Sequence, residues 1–154
     1  MIASLSILVA AGAVRTAAAP LSFSELFEHS ASLRPSARVL ALDGRRVRLD
    51  GFMARMEVPS RGGFYLCPRH VSADESGAGT ADLPVESVFV VMRSAAGREV
   101  PYRPGLLEVT GTLRVGNRAD ADGRVSAFQL TLDRSASRKS SSTMHSSSTK
   151  GESR

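Results

Sequence analysis

The sequence has few of the residues on which several kinds of protein depend. Its 154 residues include one cysteine, no tryptophan and 5% aromatic residues, and only two of its twenty basic residues are lysines. A single cysteine excludes an internal disulfide, so stability has to come from packing. The scarcity of aromatic rings leaves little platform for stacking nucleic-acid bases. No apolar run reaches the roughly twenty residues that a permanent membrane helix needs.

Positive charge is distributed unevenly along the chain, whose formal net charge is +5. Residues 20–134 carry 15 arginines against 14 acidic residues, whereas residues 135–154 carry four basic residues against one acid. A near-neutral body offers little of the counterion release that drives binding to a nucleic-acid backbone. We therefore expect one compact domain with no nucleic-acid partner. The last twenty residues include nine serines and are predicted to be a disordered basic tail.

The first residues have the features of an export signal. "MIASLSILVAAGAV" is an uncharged apolar run, followed by Arg15 and the small residues "TAAAP". The run is too short for a permanent membrane span, and the Thr16-x-Ala18 pattern fits cleavage after Ala18. No Lys or Arg precedes the run, which departs from the usual pattern. Residues 1–18 are predicted to be a signal peptide, and the mature protein to be periplasmic or otherwise exported.

Five stretches of the body concentrate or alternate apolar residues as β-strands do. The first, "RVRLDGFM", places Val47, Leu49 and Met53 on alternate positions, with polar residues between them as the solvent side of a half-buried strand. Gly51 falls on the inward side and indicates a bulge or bend of the kind that small barrels use to close. The other four stretches are "FYLC", "SVFVVM", "LLEVTGTLRV" and "VSAFQLTLD".

Shorter signals precede these strands. Ser22 and Glu25 have the spacing of a capping box and predict a short helix over residues 22–30. An Asp-Gly dipeptide before the first strand predicts a tight turn. Together these elements predict a mainly β domain over residues 20–134. Its expected form is a small, five-stranded antiparallel barrel of the OB type with a short N-terminal helix, and a β-sandwich is the alternative.

The stretch from Leu42 to Met53 resembles the start of a family of small exported bacterial domains of unknown function. Their hallmark is Leu-x-Gly-x-x-Val-x-Leu-x-Gly-Phe-Met, here "LDGRRVRLDGFM", with Val-x-Gly-x-Leu near the end, here "VTGTL". The similarity covers roughly residues 23–132. It implies an OB-like barrel in the periplasm, no established enzymatic activity and an association with transport systems. Many members have cysteines in the loop after the second strand, whereas here Cys67 ends that strand.

One group of side chains has the chemistry of a metal site. Cys67 and His70 stand three positions apart, and Asp74, Glu75 and Asp82 follow in the same loop. Thiolate and imidazole ligands suit Zn²⁺ or copper, with a carboxylate completing the shell. The acidic residues alone would suit Ca²⁺, but they lack the alternating ligands of a helix-loop-helix calcium loop. The cysteine and histidine could also form a thiolate pair, although no third residue is present to orient the histidine.

No complete catalytic or cofactor site is visible in the sequence, which predicts a protein that is not an enzyme. The longest irregular segment is the loop of residues 68–84, rich in Gly, Ser, Asp and Pro. We expect an exported binding or adaptor module whose loop contacts a protein or a small ligand. The alternatives are a metal-binding protein that uses Cys67, His70 and the loop carboxylates, and a purely structural exported protein. The sequence indicates no particular oligomeric state.

Overall fold

β-Strands are the main regular elements of the structure, a computed structural model that describes residues 17–28, 33–73, 83–120, 122–133 and 137–138. The strands are β1 (Ala19–Leu21), β2 (Arg46–Met53), β3 (Arg55–Met56), β4 (Gly63–Cys67), β5 (Ser72–Ala73), β6 (Val88–Val91), β7 (Leu106–Ala119), β8 (Val125–Leu132) and β9 (Ser137–Arg138). A five-residue helix, α1, spans Ala37–Ala41, and 3₁₀ turns cover Phe23–Glu25 and Arg93–Ala95. The prediction of a mainly β domain is confirmed.

Five of the strands form a closed ring of hydrogen-bonded neighbours. β2 pairs with β4, β4 with β6, β6 with β8, β8 with β7, and β7 pairs again with β2. In the closing ladder, Arg46 to Phe52 of β2 lie antiparallel to Thr112 to Leu106 of β7. These five strands are the five that the apolar stretches predict. β1 and β9 join the same sheet at β2 and β7, which makes seven strands in the described sheet.

The sheet is mixed, so the expectation of a purely antiparallel arrangement is wrong. β6 and β8 are parallel, with Phe89 opposite Gln129, and β1 is parallel to β2, with Ala19 opposite Val47. Alternation of apolar residues reports which face of a strand is buried. It does not report the direction of the neighbouring strand, because the side-chain period is two in both kinds of sheet.

One hydrophobic core receives side chains from all five strands of the ring. On β2 the inward positions Val47, Leu49, Gly51 and Met53 are buried and Arg48 is exposed, which confirms the predicted alternation. Full burial of a valine or leucine side chain contributes roughly 1.5–3 kcal/mol to the stability of the folded state. The other four strands supply Phe64, Leu66, Val88, Val90, Leu107, Val109, Leu113, Phe128 and Leu130.

The N-terminal segment differs from the predicted helix of residues 22–30. The capping box is present, and the Ser22 N–H donates to Glu25 Oε2 at 2.8 Å, but it begins a single 3₁₀ turn. Phe27 then forms an isolated β-bridge with Pro35. Pairing with another segment thus replaces helix propagation, and the last two residues of the predicted helix lie outside the described residues.

Helix α1 was not predicted, because five residues are too few for a helical period to show in the sequence. Ser36 caps it by accepting a hydrogen bond from the Val39 N–H at 3.1 Å, and Val39 is fully buried. The predicted turn follows, and Gly44 adopts a positive φ of 72°. The chain then enters β2.

The two predicted terminal segments lie almost entirely outside the described residues. Of the predicted signal peptide, residues 1–18, only the last two residues are described. Of the predicted tail, residues 135–154, Ser137–Arg138 form β9 and pair with β7. Within the described ranges, no helix is long and apolar enough to cross a membrane.

Two glycines of the sequence motifs stand where strands approach too closely for a side chain. A Cβ atom at Gly51 would lie 2.8 Å from the carbonyl oxygen of Cys67 and 2.8 Å from Cε2 of Phe23. A Cβ atom at Gly111 would overlap the backbone carbonyl of Thr131 on β8. Both glycines belong to the β2–β7 ladder, and each allows the strand on the other side of its own strand, β4 or β8, to approach closely.

We expect Gly111→Ala to lower the free energy of unfolding by about 1–3 kcal/mol, because the obstructing atoms are backbone atoms that move only if the β7–β8 pairing shifts. Urea unfolding measures the loss. Arg48→Ala, at an exposed position of β2, is the matched control and should change stability by about 0.5 kcal/mol or less. Equal stability of the two variants would contradict the close approach at Gly111.

Candidate functional site

Cys67, one of the predicted metal ligands, is buried in a small apolar cluster. It is 0% exposed and clusters with Ala54, Tyr65 and Phe89. Its Sγ lies 3.3 Å from the Oγ of Ser87. Burial raises the pKa of the Cys67 thiol, so the protonated form predominates at neutral pH. A protonated and enclosed thiol is poorly suited to be a nucleophile or a metal ligand, since both roles need the thiolate.

His70 is exposed, and its ring packs on the ring of Phe52 with 4.0 Å between the centroids. Among the described residues, no group of three or more His, Cys, Asp and Glu side chains is placed to hold a metal ion. The three carboxylates of the predicted set, Asp74, Glu75 and Asp82, lie outside the described residues. The complete ligand set therefore stays a prediction.

Both ends of the predicted contact loop, residues 68–84, are anchored to the rest of the domain. On one side, β5 pairs with β3, and the Arg55 N–H donates to the Val71 carbonyl at 2.9 Å. Val71 and Leu83 pack on the cluster that contains Cys67. Residues 74–82 lie outside the described residues, so a partner contact through this loop stays a prediction.

Two connecting segments meet at one end of the ring, residues 54–62 after β2 and residues 92–105 after β6, and a concave site lies beside the second segment. We call these two segments the basic end. Backbone hydrogen bonds join them: the Met92 N–H donates to the Gly62 carbonyl, and the Gly62 N–H donates to the Arg98 carbonyl, both at 2.8 Å. The two connectors therefore form one unit on the rim of the ring.

Residues 92–103 of the basic end line a cleft of about 420 Å³ together with side chains of β2, β4 and β7. Its apolar floor consists of the buried side chains of Met53, Phe64, Val100 and Leu107. Its remaining lining residues are Met92, Ser94, Ala95, Arg98, Glu99, Pro101 and Arg103. A cleft of this volume, apolar at the base and with a few polar groups at the mouth, has the character of a small-molecule site.

The mouth of the cleft is held by several specific contacts. The backbone N–H of Arg103 donates to the Sδ of Met53 at 3.3 Å, which ties the end of the connector to the floor. The Nη2 of Arg98 donates to the carbonyl oxygen of Ser94. Beside the cleft, the Cζ of Arg55 lies 6.0 Å from the ring centroid of Tyr102, within reach of a cation–π interaction.

The tip of the β7–β8 hairpin braces the other side of the basic end. The Arg61 N–H donates to the Oδ2 of Asp122 at 3.0 Å. Arg124 Nη1 donates to the Oγ of Ser60 at 2.9 Å, and the Asp120 carboxylate accepts from the N–H of Arg124 at 2.9 Å. The connector that follows β2 is thus held between the hairpin and the segment after β6. A site on such a support is substantially formed before a ligand arrives.

The electrostatic character of this end differs from that of the whole body. The basic end contains five arginines and two glutamates, an excess of three positive charges, whereas residues 20–134 together have an excess of one. All five arginines are exposed. They are Arg55, Arg61, Arg93, Arg98 and Arg103. The basic end therefore has a net charge of +3, whereas the rest of residues 20–134 has a net charge of −2. Two of the five arginines, Arg98 and Arg103, line the cleft.

Residues 93–105 lie between two of the predicted strands, and their role in the cleft was not predicted. The available signal was arginine at a spacing of five in "RSAAGREVPYRPG", next to two prolines. That pattern reveals charge but not concavity, since the floor of the cleft comes from three different strands. Only folding brings Met53, Phe64 and Leu107 beneath the arginines.

Comparison with known proteins finds similarity in structure but not in sequence. No family model matches the chain, and no curated protein matches it significantly. The chain is similar in structure to a crystallised DUF3299 family protein from Pseudomonas aeruginosa PAO1, with a TM-score of 0.51 and 17% sequence identity. The match covers 80% of this chain and 97% of the other. At this level of identity the likeness concerns the fold alone.

We expect the Cys67 thiol to react with a disulfide reagent at pH 8 at least about 100-fold more slowly in the folded protein than in urea, because burial both encloses the sulfur and raises its pKa. Absorbance of the released thiolate follows the reaction. A matched control carries Cys67→Ser with Arg69→Cys, which moves the thiol to an exposed neighbouring position and should react rapidly. Rapid reaction of native Cys67 would return it to the set of available metal ligands.

Proposed function

We propose that this protein is an exported, periplasmic binding module of the OB type, with its ligand site in the cleft of the basic end. The order of the five-strand ring, β2-β4-β6-β8-β7, supports an OB-type barrel, because that fold is a five-stranded Greek-key barrel. Its loops commonly carry binding sites on a rigid scaffold. An association with a transport system, as the family resemblance implies, belongs to the same proposal.

The observation that carries the proposal is the apolar floor of the cleft. Met53, Phe64 and Leu107 are core residues, yet they also line a space of about 420 Å³ that opens at the basic end. Pockets that bind small molecules have volumes of roughly 300–1,000 Å³ and are mostly apolar. The two methionines, Met53 and Met92, add adaptable and polarisable surface, since methionine packs against ligands of varied shape.

The loop of residues 68–84 has a different part in this proposal from the one first expected. Its anchors Val71 and Leu83 cover the cluster around Cys67, and neither lines the cleft. We therefore assign ligand binding to the cleft and leave the loop as a second contact surface for a protein partner. The alternative of zinc or copper bound by Cys67, His70 and a loop carboxylate gains no support from the buried thiol.

Export gives a precise expectation for the mature N-terminus. Leu21 is buried, and the Pro20 carbonyl accepts a hydrogen bond from Arg38 Nη2 at 3.1 Å. Cleavage after Ala18 would leave the whole of β1 in the mature domain. When the full chain is expressed in a Gram-negative host, we expect a periplasmic product whose intact mass begins at Ala19. An unprocessed chain confined to the cytoplasm would contradict the export proposal.

Ligand binding by the cleft can be tested with a neutral apolar probe. In protein with ¹³C-labelled methionine methyl groups, titration with 1-octanol should shift the signals of Met53 and Met92, because both line the cleft. Ser94→Phe, at the exposed mouth, should weaken this binding about tenfold, which corresponds to about 1.4 kcal/mol. Ala96→Phe is the matched control, since Ala96 is exposed nearby and does not line the cleft. If neither methyl signal moves up to the solubility limit of octanol, the cleft is not a ligand site.

A further inference from the structure

We infer that the cleft selects a single-chain amphipathic anion: a ligand with one short alkyl chain and an anionic head such as a carboxylate. This inference rests on the proposed function, because it specifies the ligand of the same cleft. It is carried by two properties that coincide at one place, the apolar floor and the local excess of positive charge.

The floor determines what the body of the ligand has to be. Met53, Phe64 and Leu107 present only carbon and thioether sulfur, and the sulfur of Met53 already accepts the N–H of Arg103. A polar ligand body would lose hydrogen bonds to water there without replacing them, which is unfavourable. Burial of the methylenes of an alkyl chain is favourable there instead.

The volume of the cleft limits the size of that body. About 420 Å³ is near the lower end of the range for small-molecule pockets. One alkyl chain of medium length fits such a space better than the two long chains of a phospholipid. The cleft therefore favours a free amphiphile over a membrane lipid.

The mouth determines the head group. Arg98 and Arg103 both line the cleft, and a guanidinium group pairs with carboxylate or phosphate oxygens in a planar, two-pronged geometry. The bond from Arg98 Nη2 to the Ser94 carbonyl uses one of five N–H donors and fixes the side chain at the mouth. Glu99 also lines the cleft, so the lining contains two arginines and one glutamate and has an excess of one positive charge. The three other arginines of the basic end add to the positive charge around the cleft. A cationic head would be repelled, and a neutral head would gain nothing from the charge.

The same end also exposes apolar side chains that would suit a membrane surface. Tyr102 is 40% exposed and Val58 is 47% exposed, and both belong to the basic end. Anionic lipid headgroups attract clusters of arginine at such surfaces. We favour the free amphiphile, because a membrane surface docked on this end would not contact the buried floor of the cleft. The experiment therefore includes vesicles as a separate test.

The experiment compares sodium octanoate with 1-octanol on the full mature domain at pH 8, where octanoate is ionised. Both probes have the same chain length, and the methyl signals of Met53 and Met92 report binding. We expect octanoate to bind about fivefold more tightly than octanol, as two exposed ion pairs would provide. The double variant Arg98→Gln with Arg103→Gln should remove this preference, whereas Arg48→Gln, an exposed arginine on β2, should keep it.

Each outcome has a distinct meaning. Equal affinity for the two probes would overturn the anionic ligand class and leave the cleft as a binding site. Failure of both probes to bind would overturn the proposed function, and the ligand class with it. Sedimentation with phosphatidylglycerol vesicles that octanoate does not displace would overturn the inference in favour of a membrane surface. Tighter octanoate binding that requires the two arginines, with no retention on vesicles, would support it.

Discussion

The ladder between β2 and β7 is the constraint on which the rest of this structure depends. It joins strands far apart in the chain, and without it the five core strands would form an open sheet with two unpaired edges. Gly51 lies opposite Leu107 and Gly111 lies opposite Val47, so each glycine of the ladder faces a buried apolar residue. A Cβ atom at Gly51 would collide with β4, and one at Gly111 would collide with β8. The strands on either side of the ladder can therefore approach closely, because these two positions have no side chain.

Closure of the ring also explains where the cleft can form. Once the strands are paired on both sides, the ends of β2, β4 and β7 meet, and their last inward side chains have no further strand to cover them. The segments 54–62 and 92–105 are joined to each other by backbone hydrogen bonds, and they cover this end only in part. The space between residues 92–103 and the core side chains is the cleft.

The fate of Cys67 follows from the same alternation. Phe64 and Leu66 point into the main core, so Tyr65 and Cys67 point to the other face of β4. That face is covered by Met56, Val71 and Leu83. Cys67, a predicted metal ligand, is therefore a buried thiol packed among apolar side chains. Residues close in sequence to a histidine need not share its environment: His70 remains at the surface on Phe52.

The sequence by itself determined the β class, the five core strands and the inward and outward residues of β2. These features depend on the alternation of apolar residues and on glycine at crowded positions. Both can be read from the sequence of one strand alone. The parallel pairing of β6 with β8, the single 3₁₀ turn in place of the predicted helix, and the cleft were decided only by tertiary structure. The physical reason is that strand direction and partial coverage of a core are properties of segments distant in the chain. The positive charge of residues 93–105 is visible in the sequence, but the floor beneath their arginines comes from β2, β4 and β7.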